Sequence, residues 1–385
     1  MSPATTTLIR DLVSFDTTSR LSNLALIDFV RGYLSRLDIS SDLIFNEGKN
    51  KANLFATIGP SDRPGVMLSG HTDVVPVDGQ DWDSDPFRVR ESCNRFYGRG
   101  TVDMKGFIAI MLACVPKMLE RNIKVPVHLA FSYDEEVGCL GVQSLLARLR
   151  NSRIRPKFCI VGEPTGMKVV HAHKGKQVIR VIVRGRECHS ALGPNEGVNA
   201  IEFAAALITF IRSLALRSAT SGPFEEGYEV PYTTIQTGVV DGGSMVNIVP
   251  KECRFEFEIR NLPQENTDDF VDQVTTYATD VLEPQMHKID SRTGFHFEEL
   301  SRYPGLQTSV DTEVVSFVRS LTEASAVGKV AFGTEAGLFQ GIGIPTVVCG
   351  PGHIAQAHKP NEYVDHGQLL HCERFMQRLI DWLAQ

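Results

Sequence analysis

Short apolar runs alternate with segments of helical period at both ends of the chain. Residues 54–58, 65–70, 125–131, 158–161 and 346–349 are almost purely apolar and are bounded by Gly, Pro, Asp or Asn. Runs of that length and composition predict strands buried on both faces. Between and around them, residues 5–15, 24–37, 104–119, 140–149 and 368–383 place apolar side chains at helical spacing. Strands separated by helices of this length predict an α/β layer with a mostly parallel central sheet. The middle of the chain alternates polar and apolar residues instead. Segments 176–184, 233–239, 254–259 and 294–300 read as strands with one wet face, and 198–214 and 268–282 read as helices between them. The order strand, helix, strand, strand, helix, strand is a split βαβ, ferredoxin-like arrangement. A smaller α+β domain over 176–303 is therefore expected inside a larger α/β domain made of 1–175 and 304–385. Residues 218–231, rich in Gly, Pro and Glu, are expected to form a surface loop.

Composition narrows the class. With 385 residues the chain exceeds what one core organises, and 42% hydrophobic with 22% charged residues is a globular balance. Lys and Arg total 39 against 46 Asp and Glu, a net charge of −7, which lacks the basic excess of a nucleic-acid binder. No apolar run approaches the roughly 18 residues of a membrane span, and Met1–Thr5 leads into an amphipathic segment without a signal-peptide pattern. The eight cysteines contain no C-x-x-C pair, and several sit inside apolar runs, as buried thiols do. A cytoplasmic protein with reduced cysteines is expected, with neither nucleic acid nor membrane as partner.

Candidate chemistry collects at strand ends. The run 65–70 leads into His71-Thr72-Asp73, 125–131 into Asp134-Glu135-Glu136, 158–161 into Gly162-Glu163-Pro164, and His358 follows the last run. Asp103 precedes a predicted helix. In open α/β sheets ligands bind outside the carboxyl ends of the strands. Each residue has an ordinary structural role open to it: Asp103 as a helix cap, Glu135 and Glu136 as first-turn acids, Glu163 as turn chemistry, His71 as a core imidazole. One metal centre accounts for all of them together, because buried carboxylates repel unless a cation neutralises them. Two imidazoles with several carboxylates and no thiolate suit zinc or cobalt. Five ligands exceed what one four-coordinate zinc with an open position takes, so a carboxylate-bridged pair about 3.5 Å apart is expected. The spacing His71-x-Asp73 would let the acid accept the second imidazole N–H.

The stretches His71-Thr72-Asp73-Val74-Val75-Pro76, Gly98-Arg99-Gly100-Thr101-Val102-Asp103-Met104-Lys105-Gly106, Asp134-Glu135-Glu136-Val137-Gly138 and Gly162-Glu163-Pro164-Thr165 resemble the M20 family of co-catalytic zinc hydrolases. The likeness runs in order from His71 to His358. It implies that His71 and Glu163 hold one zinc, Glu136 and His358 the other, and Asp103 bridges both, with cobalt as a substitute. Asp73 would orient His71. Glu135 would be the general base, moving a proton from the attacking water to the leaving amine. The inserted domain would be a lid that also forms a homodimer, and His189 on it would reach the partner subunit's site. The resemblance also implies a strained Asp103–Met104 peptide, with cis as one form. Arg260 would clamp a substrate carboxylate and Asn247 would line the lid side. Gly333-Thr334-Glu335-Ala336 and residues 350–364 look most like members acting on N2-acetyl-L-ornithine, giving L-ornithine and acetate in arginine biosynthesis. Thr334 would then line the substrate site and Glu335 would meet the δ-ammonium. Family members acting on succinyl-diaminopimelate, other acyl amino acids or dipeptides are the alternatives, with a non-catalytic binding protein on the same fold further off.

Overall fold

Four strands buried along their whole length form the centre of a nine-stranded sheet in the computed structural model, which describes residues 1–153, 155–323 and 326–385. Val127–Ser132, Val66–His71, Phe158–Pro164 and Thr346–Gly350 stand side by side in that order and run parallel. Helices cover such a sheet on both faces, which is why these runs are mostly apolar and their polar residues gather towards the strand ends. Antiparallel strands extend each flank: Ala52–Ile58 and Ser41–Phe45 on one side, Val169–His173 on the other. The result is a mixed α/β sheet whose parallel part is its middle. The helix Gly106–Glu120 is apolar nearly all round and packs against Pro3–Val13 and His366–Leu383. Its entry is the tight turn Thr101–Lys105, where the Asp103–Met104 peptide is cis.

The chain divides into two units: Met1–His173 with Leu306–Val330 and Thr334–Gln385, and Lys174–Gly305 with Ala331–Gly333. The second unit holds a four-stranded antiparallel sheet ordered Thr234–Gly242, Glu252–Arg260, Lys176–Arg184, Gly294–Tyr303. Alternation builds its core: Ile179, Val181 and Val183 join Phe255, Phe257 and Ile259 under the helix Ala200–Ser221. The opposite face carries ion pairs such as Arg180–Glu256 at 2.9 Å.

Two sequence expectations shift. The helix expected to stop near 214 continues to Ser221, because Ser218 still falls on the buried face defined by Leu207, Ile211 and Leu214. The loop therefore starts at Gly222, whose φ of +71° closes the helix without a Cβ penalty. A small sheet of Arg90–Ser92, Arg95–Tyr97 and Tyr363–Asp365 was not foreseen, since three residues are too few to show a period.

Candidate metal centre

The four parallel strands deliver the candidate ligands to one edge. His71 is the last residue of its strand, Glu163 lies next to the end of Phe158–Pro164, Glu135 and Glu136 follow Val127–Ser132, and His358 follows Thr346–Gly350. Gly162 makes the Glu163 position accessible to its neighbours: a Cβ there would stand 2.0 Å from the Phe107 ring, so only glycine lets the helix Gly106–Glu120 lie against this strand.

Asp103 is the meeting point. Its Oδ1 is 2.9 Å from His71 Nε2 and its Oδ2 is 3.1 Å from His358 Nε2. Glu163 Oε1 stands 3.5 Å from His71 Nε2, and Glu136 Oε2 stands 3.1 Å from His358 Nε2. Glu135 shares a cluster with His71 and Glu163 whose donor atoms all lie within 4.8 Å of one another, and its Oε1 accepts from the Cys139 thiol at 3.5 Å. The six residues singled out at strand ends and at Asp103 thus form one group.

The electrostatics of the group call for positive charge. Burial pushes the Glu163 and Glu135 carboxyls well above the usual range, and neighbouring carboxylates push them further against the pull of His71. Burial alone would depress His71, yet Glu163, Asp103 and Asp73 outweigh it and hold the imidazole well above its usual value. Hydrogen bonds from His358 to Asp103 and Glu136 raise that imidazole to about 11. Among the described residues no Lys or Arg is ion-paired with Asp103, Glu135, Glu136 or Glu163. Uncompensated carboxylates facing imidazole nitrogens at these distances are a donor set that fits divalent cations. His71, Glu163, Glu136 and His358 would be the terminal ligands and Asp103 the shared one.

Asp73 acts differently from the expectation drawn from spacing. The acceptor at 2.9 Å from His71 Nδ1 is the Asp73 backbone carbonyl, while its carboxylate Oδ1 stands 3.6 Å away. The carboxylate is used elsewhere. Oδ1 accepts from the Glu135 backbone N–H at 3.1 Å, and Oδ2 accepts from the Glu136 N–H at 3.3 Å and the Ser19 hydroxyl at 2.7 Å. These amides start a turn and have no strand partner, so a carboxylate in reach satisfies them. One residue therefore fixes an imidazole through its carbonyl and the Glu135-Glu136 turn through its side chain.

The substrate-side expectations fare unevenly. Thr334 is fully buried, its hydroxyl shared between His173 Nε2 at 3.1 Å and the Ala336 N–H at 3.0 Å, so it braces a turn. Glu335 is 1% exposed, with Oε1 unpartnered, and lies against Ser132; burial raises its carboxyl to about 7. The δ-ammonium contact expected of Glu335 would have to be made at this buried carboxyl, which lies close enough to Glu135 to push that carboxyl up as well. Within the second unit, Arg260 spends its fork on Glu258, at 2.9 and 3.1 Å, and reaches the Tyr303 hydroxyl at 3.3 Å. Taking a substrate carboxylate would require exchanging Glu258. His189 and Asn247 are exposed neighbours in the same unit, joined by Ser190 N–H to Asn247 O at 3.0 Å and by the His189–Ile248 bridge.

Sequence reasoning missed Glu362. It is 1% exposed, and its Oε1 accepts from the N–H groups of Val102 at 3.0 Å and Asp103 at 3.3 Å. An acid between Asn361 and Tyr363 reads locally as a loop residue, and no local signal marks its burial.

A parallel-centred α/β sheet that brings two imidazoles and four carboxylates to one edge, with no basic partner for them among the described residues, is the arrangement of a metal-dependent hydrolase of the co-catalytic type. The chain belongs to peptidase family M20/M25/M40, whose model matches residues 67–382, and it is a metal-dependent amidohydrolase. It is 35% identical to the acetylornithine deacetylase of Myxococcus xanthus, over 98% of this chain and 97% of the relative. Among solved structures, the M20 family metallo-carboxypeptidase Sso-CP2 of Sulfolobus solfataricus superposes with a TM-score of 0.78 at 17% identity, covering all of both chains. The YXEP protein of Bacillus subtilis, described as a dinuclear metal binding peptidase of the M20 family, superposes with a TM-score of 0.65 at 15% identity, over 98% of this chain and 97% of that one.

Proposed function

We propose that the chain hydrolyses N2-acetyl-L-ornithine to L-ornithine and acetate, a step of arginine biosynthesis in the cytoplasm, with two zinc ions. The observation that carries the substrate is the 35% identity with an acetylornithine deacetylase over nearly the full length of both chains. The imidazole and carboxylate donor set suits zinc, with cobalt as a substitute. When bound, the two ions supply Lewis acidity for the acyl carbonyl and make water nucleophilic near neutral pH. Glu135 takes a proton from the attacking water and returns it to the leaving α-amine. Asp73 keeps Glu135 and Glu136 in place through their backbone amides. Arg260 takes the substrate α-carboxylate in exchange for Glu258, and Asn247 stands beside His189 on the lid. Among the described residues no helix is long and apolar enough to cross a membrane, and the small-molecule substrate requires none.

The test is a panel assayed with zinc-loaded protein: N2-acetylornithine, other N-acetyl amino acids, succinyl-diaminopimelate and dipeptides. N2-acetylornithine is expected to give the highest kcat/KM. A dipeptide or succinyl-diaminopimelate turned over faster would move the chain to another activity of the same family.

The protein acts as a homodimer formed through the second unit, with His189 completing the partner subunit's site. Support for the dimer comes from apolar residues left in water: Met245 is 64% exposed and Val246 fully exposed, and with Ile201 and Ile248 they line a groove of about 900 Å³. His189 would donate to the oxyanion that forms as water adds to the carbonyl, a contact worth roughly 3 kcal/mol in a dry site. Mixing His189→Ala and Glu135→Ala subunits, each inactive alone, is expected to restore activity on subunit exchange. Each mixed dimer then holds one complete site. Demonstrated exchange without recovered activity would place His189 in its own subunit's site or outside the mechanism.

A further inference from the structure

His358 differs from the other candidate ligands in how it is held. Its side chain is 51% exposed, whereas those of His71, Asp103, Glu136 and Glu163 are all at 7% or less. It sits on a loop with φ of +62°, in the left-handed region that non-glycine residues rarely adopt. Burial does not fix such a residue, so besides its contacts with Asp103 and Glu136 its place depends on what grips its backbone.

The grip comes from Gln80. The Gln80 Nε2 group donates to the His358 carbonyl at 3.0 Å. Its Oε1 accepts from Arg99 NH2 at 2.6 Å and from the Trp82 indole N–H at 3.1 Å. Two donors on one side and a carbonyl on the other leave a single orientation for the amide, because the flipped form would face nitrogen to nitrogen and oxygen to oxygen. Arg99, 1% exposed, continues the chain: its NH1 donates to Glu362 Oε2 at 2.7 Å. Glu362 Oε1 holds the Val102 and Asp103 amides, and its carbonyl accepts from the Gly98 N–H at 2.9 Å. A buried ion pair at this place is costly unless further hydrogen bonds offset it, and the Arg99 Nε–H itself has no partner among the described residues. Here its spare bonds go to the backbones of Asp103 on one side and, through Gln80, of His358 on the other.

We infer that the Glu362–Arg99–Gln80 relay presets the Asp103–His358 half of the metal centre, with Gln80 as the positioning residue for His358. The inference rests on the proposed two-metal reading. Supporting partners of metal ligands set the orientation of the donor atom and hence affinity. Gln80 touches neither the acids nor the imidazoles, so its effect has to pass through the His358 backbone. Because the relay reaches Asp103 only from behind and His358 directly, the ion held by Glu136 and His358 feels the loss of Gln80 first.

The test uses two variants at the half-buried position 80, which spares the buried Arg99–Glu362 pair. Gln80→Glu keeps the acceptor for Arg99 and Trp82 but sets an oxygen against the His358 carbonyl. Gln80→Met removes both links. The full-length chain, stripped with a chelator, is titrated with Zn2+ by calorimetry, and melting is followed in the metal-free state. Wild type is expected to bind two ions. Both variants are expected to weaken one of them by about 10- to 100-fold, to leave the other unchanged, and to melt as wild type does. Equal affinity for both ions in wild type and variants would overturn the role of Gln80. So would a parallel loss at both sites with a lowered melting temperature, the mark of general destabilisation. A wild-type chain that binds fewer than two ions would instead overturn the two-metal reading on which the inference stands.

Discussion

Asp103→Ala is expected to empty both metal positions and abolish turnover. The two oxygens of this carboxylate face the two imidazoles, at 2.9 Å from His71 and 3.1 Å from His358, so one substitution removes a donor from each half of the centre. The two histidines hold its carboxyl below the usual carboxylate range against the effect of burial. Loss of a partner that merely orients a ligand costs about 10- to 100-fold in affinity, and loss of a shared ligand should cost more at both positions. Metal analysis of the purified variant beside wild type, together with activity at saturating substrate, reads the outcome. A variant that keeps two ions and turns over would remove Asp103 from the bridging role. Retention of a single tight ion in a fully active wild type would remove the paired centre altogether.

Glu135→Gln should separate chemistry from metal binding. The substitution preserves shape but cannot take up a proton, and a lost general base costs at least ~10²-fold in kcat. Metal content is expected to stay near that of wild type. Glu136→Gln should behave in the opposite way, losing metal, because Glu136 Oε2 stands 3.1 Å from His358 Nε2, in the group that also contains Asp103. Geometry makes the contrast a demanding one. Glu135 lies within ligand range of His71 and Glu163, and the two acids are adjacent on one turn whose amides are both held by Asp73. If Glu135→Gln strips the metal while Glu136→Gln keeps it, the roles of the two acids are reversed.

Several of these residues were legible before any fold was known, for identifiable reasons. Buried strands leave continuous apolar runs, and the acids and histidines that end them break the run abruptly. His71, Glu135, Glu136 and Glu163 are visible by that break alone. Like Asp103, which would look the same as an N-cap, each has an ordinary structural role open to it and gains meaning only as part of the set. The alternating strands of the second unit were equally readable, because a period of two survives wherever one face stays wet.

Other features depend on which distant residue arrives opposite. Asp73 was read as the partner of His71 from a spacing of two, but the nearby backbone carbonyl took that role and left the carboxylate to the amides of Glu135 and Glu136, more than sixty residues away. Glu335 sits in a Gly-Thr-Glu-Ala stretch that suggests an exposed turn, yet packing closes over it. Arg260 keeps its charge in any conformation, but Glu258, two residues away on the same face of the strand, occupies its fork. Gln80 carries no pattern, and Arg99 and Glu362 lie in family-like stretches without a role of their own; the three become a relay only when the His358 loop folds against the turn before Asp103. The sequence by itself determined the element types and the donor chemistry, because both follow from the periodicity and character of neighbouring side chains. Only the tertiary structure decided the hydrogen-bond partners of those donors, because a polar group exchanges water for whichever partner packing brings within about 3 Å, and that choice is made between residues far apart in the chain.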